Sequence, residues 1–218
     1  GIKKNMRALF INALDNYLAR FVTQIISLFL IPIISSGLTE SELSFYLISI
    51  SFLGFSIIFF DYSSQVIAVK EVANNIFSIR DHIISTYVIR CFFIFILLAI
   101  FLILYFLFQS INVILVSFIA CLQGLKPIWV YQARLKLKYA IFVELTLKLL
   151  LLCWLLLIEI SSLSFILFSI LISELFVLLI QSYPIRNLLN WKKIFTNLKN
   201  IKLHLINGID SFLSRIYG

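Results

Sequence analysis

"CFFIFILLAIFLILYFLF", Cys91 to Phe108, is eighteen consecutive residues without a charge or a side-chain amide. At 1.5 Å per residue a helix of that length covers ~27 Å, close to the ~30 Å hydrocarbon core of a bilayer. Alternation with period two is absent, which argues for helices over an outer-membrane barrel. The rest of the chain repeats the pattern. It is 62% hydrophobic and 13% charged, against about 25% charged in soluble domains, and its mean hydropathy is +1.07. No soluble core accounts for that composition over 218 residues. The fold class read from it is an all-α polytopic membrane protein.

Six apolar segments have spanning length: Leu9 to Ile34, Leu43 to Ile67, Ile83 to Phe108, Ile111 to Gln132, Tyr139 to Ile158, and Ser162 to Tyr183. They make a six-helix lobe over residues 1–183. Residues 204–218 read as the start of a seventh span, the opening of a truncated second lobe. Between them, residues 184–203 read as a cytoplasmic connector. Over Ile185 to Leu205, Leu188, Trp191, Phe195, Leu198 and Leu205 recur at helical spacing among lysines and asparagines, the pattern of a basic amphipathic helix on a membrane surface.

The loops set the topology. Lys3, Lys4 and Arg7 precede the first span; Lys70 and Arg80 follow the second; Arg134, Lys136 and Lys138 follow the fourth; Arg186, Lys192, Lys193, Lys199 and Lys202 follow the sixth. The loops Ser35–Glu42, Gln109–Ser110 and Glu159–Ser161 hold no Lys or Arg. This alternation predicts a cytoplasmic N-terminus in a multi-pass membrane protein. The net charge of +8 therefore reflects topology and predicts no nucleic-acid partner.

Eight ionisable residues fall inside the spans: Asp15, Arg20, Asp61, Arg90, Lys126, Glu144, Lys148 and Glu174. Each costs ~3 kcal/mol at the bilayer centre, so exposing most of them to lipid would cost on the order of 10–20 kcal/mol. Most must face a protein interior or a wet cavity. In the first span Asn12, Asn16, Arg20, Thr23 and Ser27 share one helical face. Glu144 and Lys148, one turn apart, can pair, either structurally or as part of a binding site. Lys126 precedes Pro127, which frees the carbonyl of Gln123 and predicts a kink in the fourth span. Trp129 and Tyr131 are expected at the interface as belt residues, and Arg90 can reach toward it.

Enzyme chemistry finds no support. His82 and His204 lie outside the spans without a catalytic or metal spacing, and no phosphate loop or nucleophile motif is present. Cys91, Cys121 and Cys153 lie in apolar runs and read as small buried hydrophobes. No metal site and no cofactor are expected.

The stretch "GLKPIWVYQARLKLKYAIFVEL", Gly124 to Leu145, resembles the signature of the Wzx-type polysaccharide (O-antigen) flippases of the multidrug/oligosaccharidyl-lipid/polysaccharide exporter superfamily. The fourth helix of that family typically ends in a Pro-x-Trp-aromatic-Gln pattern, matched by Pro127, Trp129, Tyr131 and Gln132. "FFDYSSQVIAVKEVANN" (Phe59 to Asn75) and the first span with its following loop are similar to further family stretches. Ser63 departs from the usual glycine, and Ser-Ser-Gly precedes Leu38 in place of an Arg-x-Leu-Gly. The resemblance implies an N-terminal half of a twelve-helix protein of the bacterial inner membrane. It implies translocation of a lipid-linked oligosaccharide on undecaprenyl pyrophosphate, with membrane lipids, a polysaccharide polymerase and a chain-length regulator as partners. On that reading Asn16, Arg20, Arg90, Lys126 and Lys148 are substrate-binding candidates. Asp15, Asp61, Glu144 and Glu174 are ion-coupling or charge-pair candidates. A cation-coupled antiporter of small molecules and a non-transporting membrane subunit are the alternatives.

Overall fold

The computed structural model of the chain describes residues 21–22, 25–26, 28–61, 79–134, 136–158, 162–188 and 206. All described elements are helical: α1 (28–35), α2 (Glu40–Asp61), α3 (Ile79–Phe108), α4 (Ile111–Leu125), α5 (Ile128–Ala133), α6 (Leu137–Leu157), α7 (Leu163–Ser182) and a 3-10 turn, Tyr183–Leu188. Among the described residues four segments are long and apolar enough to cross a membrane: Ile83–Phe108, Ile111–Ala133, Leu137–Leu157 and Leu163–Leu188. They match the third to sixth predicted spans. The second span is helical over its described part in α2. Most of the first span, the connector beyond Leu188 and the start of a seventh span lie outside the described residues.

The fourth span is the centre of the bundle. Of its apolar stretch 61% is buried, against 11% for α3, and it packs against α2, α3 and α7. The reason is a stripe of small residues. Ser117, Ala120, Cys121 and Gly124 recur at helical spacing and are all buried. Small side chains let helix backbones approach where lipid supplies no hydrophobic drive between helices. At Gly124 the approach is extreme: a Cβ there would lie 2.6 Å from the ring of Phe60, itself only 1% exposed on α2. Outward faces carry large apolar side chains such as Phe92, Phe95 and Phe106, all exposed. Hydrocarbon, not water, is the solvent that suits them.

The helices meet in two cores. One joins Ile34, Phe60, Phe101, Ile119, Leu155 and Ile166 from α1, α2, α3, α4, α6 and α7. The other, at the opposite end, gathers Ile83, Trp129, Val130, Tyr131, Leu137, Ala140 and Ile185. This second core corrects one expectation. Trp129 is fully buried and Tyr131 is 4% exposed, so neither is a belt residue. Ile185 is 1% exposed in a 3-10 turn packed onto the bundle.

Polar groups stitch the first end together. Thr39 and Glu42 cap α2 reciprocally: the Thr39 N–H and Oγ1 donate to Glu42 Oε2 at 3.1 and 2.9 Å, and the Glu42 N–H reaches Thr39 Oγ1 at 3.4 Å. This is a capping box. The second oxygen, Glu42 Oε1, accepts the Leu163 N–H of α7 at 3.3 Å. Beside it Ser164 Oγ donates to Asn112 Oδ1 at 2.8 Å, which ties α7 to α4. The α3–α4 turn closes through Gln109 in the left-handed region, φ 47°, with its N–H on the Tyr105 carbonyl at 2.7 Å.

Replacing Gly124 with alanine should cost ~1–3 kcal/mol through overpacking, read as a lower melting midpoint. Phe60→Leu in the same chain should recover part of the loss, since the two changes share one contact. A wild-type midpoint for Gly124→Ala would refute the close approach. A second expectation concerns pH. The backbone N–H of Thr39, then its hydroxyl, then the N–H of Leu163 hold the Glu42 carboxyl below its usual value. A depressed folded value stabilises the fold above the unfolded value of ~4.3 and is lost as pH falls toward the folded one. Melting midpoints should therefore decline through that acid window, and Glu42→Gln should flatten that part of the curve.

Candidate functional site

Pro127 creates the site. It has no N–H, so the carbonyl of Gln123 cannot take its normal helical donor. That carbonyl accepts the Lys126 N–H instead, at 3.3 Å. Lys126 then leaves the helix with φ −58° and ψ 129°, the extended backbone favoured before proline. The predicted kink is thus a full break, with α4 ending at Leu125 and α5 starting at Ile128.

A break inside a membrane exposes carbonyls that must find donors within the protein. Helix α3 supplies them from one face. Tyr87 Oη donates to the Leu125 carbonyl at 3.3 Å, and Arg90 Nη1 to the Lys126 carbonyl at 2.7 Å. Arg90, expected to reach the interface or bind substrate, is 4% exposed and serves the break. On the far side, Tyr131 Oη donates to the Gln181 carbonyl. Gln181 Nε2 donates to the Ala140 carbonyl at 2.9 Å. Sequence reading did not single out Tyr87 or Gln181. The signal was a tyrosine one turn from Arg90 and a glutamine in the last turn of an apolar helix.

The extended Lys126 points its ammonium between α6 and α7. Its Nζ lies 2.6 Å from Glu174 Oε2 and 3.6 Å from Glu144 Oε1. Glu144 Oε1 also meets Lys148 Nζ at 3.3 Å, one turn along α6. Gln123 Nε2, on the last turn of α4, donates to Glu174 Oε1 at 3.0 Å. Four of the predicted candidates, Lys126, Lys148, Glu144 and Glu174, therefore form one chain of contacts. Lys126 and Glu174 are 5% and 6% exposed; Glu144 and Lys148 are 23% and 24% exposed at their side chains. The expected Glu144–Lys148 pair is present. Asp15, Asn16 and Arg20 lie outside the described residues, as does the side chain of Asp61. Pro127, Trp129 and Gln132 sit at the break and in the small core beyond it.

The depths agree with a site inside the membrane. Lys126 follows the fifteen residues of α4, ~22 Å from that helix's start. Glu174 is about 17 Å along α7 from the same end, and Glu144 about 10 Å along α6 from the other. The network carries no net charge: two lysines against two glutamates. Attraction across 2.6 Å is of order 6 kcal/mol at an effective dielectric near 20, and desolvation costs several kcal/mol per ion. The pair is thus close to neutral for stability while both partners remain. No group of histidine, cysteine or carboxylate residues that could hold a metal ion occurs among the described residues.

No protein-family model, no curated protein and no solved structure matches this chain.

Glu174→Ala should cost ~3–5 kcal/mol, because it strands the Lys126 ammonium in the interior. The double variant Lys126→Met/Glu174→Leu should lie within ~1–2 kcal/mol of the wild type. Thermal melting of the two proteins in the same lipid mixture checks both statements. Equal midpoints for Glu174→Ala and the wild type would mean that the pair does not form.

Proposed function

We propose that the chain is a lobe of a bacterial inner-membrane flippase that translocates a lipid-linked oligosaccharide on undecaprenyl pyrophosphate for O-antigen or capsule assembly. The observation that carries this reading is the buried Lys126–Glu174–Glu144–Lys148 network at a broken helix. Intramembrane charges are costly and mark transport paths more often than structural ones. Broken helices at membrane depth likewise line solute sites in transporters. A buried ion pair gives little net stability over an apolar pair of the same volume, so stability alone does not explain this one.

An anionic pyrophosphate needs cations in a low-dielectric site. Lys126 and Lys148 are the described candidates, each exchanging a carboxylate for the substrate. Arg90, a further candidate, donates Nη1 to the Lys126 carbonyl and so sits beside the same break. The Pro127, Trp129 and Gln132 pattern supports the oligosaccharide branch of the superfamily. The equal number of carboxylates favours a second reading, a cation-coupled antiporter of small molecules in which Glu144 and Glu174 carry the ion. In both readings the same network moves the solute.

The double variant Lys126→Met/Glu174→Leu separates function from folding. In a bacterium relying on this chain for export, it should insert and melt like the wild type. Surface glycan should fall about tenfold or more, the loss of one charge-assisted contact, while the lipid-linked precursor accumulates on the inner leaflet. Undiminished export by the folded variant would remove the network from the transport path. Normal glycan with loss of drug efflux would favour the antiporter.

A further inference from the structure

At the end of the bundle beyond the network, three segments bring cations to one surface. Arg134 closes α5, Lys136 precedes α6, and Arg186 lies in the turn after α7. Two bonds hold these segments together: Tyr131 Oη to the Gln181 carbonyl, and Gln181 Nε2 to the Ala140 carbonyl. Tyr139 Oη adds a third, to the Ile180 carbonyl at 3.4 Å. Arg134, Lys136 and Arg186 are all exposed. The Arg186 guanidinium is held 4.2 Å over the Tyr183 ring, a stacking that keeps its charge at the surface.

None of the three has a carboxylate partner among the described residues. The acidic residues on α6 and α7, Glu144 and Glu174, are taken by Lys126 and Lys148. Nor does Lys136 serve the helix it adjoins. Lys136 precedes the N-terminus of α6, where the helix dipole favours negative charge. In the sequence, Lys192, Lys193, Lys199 and Lys202 follow, with no acidic residue between Glu174 and Asp210. The patch borders spans whose outward faces suit hydrocarbon, and exposed Tyr139 and Tyr183 flank it as interfacial aromatics do. A bilayer presents one ligand of opposite charge at that level, the phosphate of an acidic phospholipid.

We infer that Arg134, Lys136 and Arg186 form a binding surface for the headgroup of an acidic membrane phospholipid. The surface is separate from the buried network, and its occupant stays in its own leaflet. Each cation near a membrane surface contributes roughly fivefold in binding, so the three together contribute on the order of 100-fold.

The experiment uses the full chain in neutral phosphatidylcholine mixed micelles, with phosphatidylglycerol titrated in and the melting midpoint recorded. The wild type should gain stability with phosphatidylglycerol, and the gain should vanish in about 1 M salt, where screening acts within ~3 Å. Arg134→Gln/Lys136→Gln/Arg186→Gln should melt like the wild type without acidic lipid and need on the order of 100-fold more of it for the same gain. An equal response of wild type and triple variant would overturn the inference. So would equal stabilisation by added phosphatidylcholine, or a full effect from inorganic phosphate alone, which would make the site one for a free anion. Because the readout is lipid-dependent stability, a failure here leaves the export experiment untouched, and the reverse also holds.

Discussion

One missing N–H shapes the centre of this protein. A helix in hydrocarbon satisfies its own carbonyls, and Pro127 interrupts that ladder in the most buried span. Everything around the break answers the interruption. Lys126 turns its N–H back to Gln123, and α3 lends Tyr87 and Arg90 to the carbonyls of Leu125 and Lys126. The six residues of α5 are then anchored by Trp129 in the small core and by Tyr131 on Gln181. The backbone exit aims the Lys126 side chain between α6 and α7. Had the helix continued, Lys126 would occupy the face one turn beyond Leu122 and Gln123, and its carbonyl would need no guanidinium.

The charge arrangement follows from the same exit. A lysine delivered into the interior must meet carboxylates, and Glu174 and Glu144 come from the two helices on either side. The second carboxylate would leave an excess negative charge, which Lys148 offsets. The result is neutral as a set, yet each member depends on another. Removing a single member strands a charge, whereas removing an opposite pair does not. Arg90 joins this arrangement through the backbone, donating Nη1 to the Lys126 carbonyl.

Much of this was legible in the sequence. Apolar length marked Ile83 to Phe108, Ile111 to Gln132, Tyr139 to Ile158 and Ser162 to Tyr183, since crossing a bilayer imposes a fixed residue count, and each overlaps a helix of spanning length. The Glu144–Lys148 pair follows from one helical turn. The cost of buried charge required Lys126 and Glu174 to face inward, although sequence spacing could not pair residues from different helices. The break, in place of a kink, needed knowledge of which neighbour could meet the freed carbonyls. Trp129 and Tyr131 misled because an aromatic pair before a basic run looks the same at a lipid interface and in a small terminal core. Gly124 gave no sequence signal beyond its size, because close approach is a property of two helices.

The proposed activity places a further demand on the network. In the described arrangement Lys126 is enclosed, 5% exposed, with both neighbouring carboxylates on its ammonium. An anion can reach it only by displacing Glu174 or Glu144, and a displaced carboxylate needs a replacement cation of its own. Binding of a negative solute and release of a lysine from its glutamate are then one event. Lys148 can hold Glu144 while Lys126 changes partner, since Glu144 Oε1 already contacts both. Among the described residues Glu174 meets no second lysine, only the amide of Gln123, so on the proposed reading its charge would be met by a proton, another cation or movement toward water. That asymmetry makes Glu174 the residue whose partner decides whether the network is closed or open.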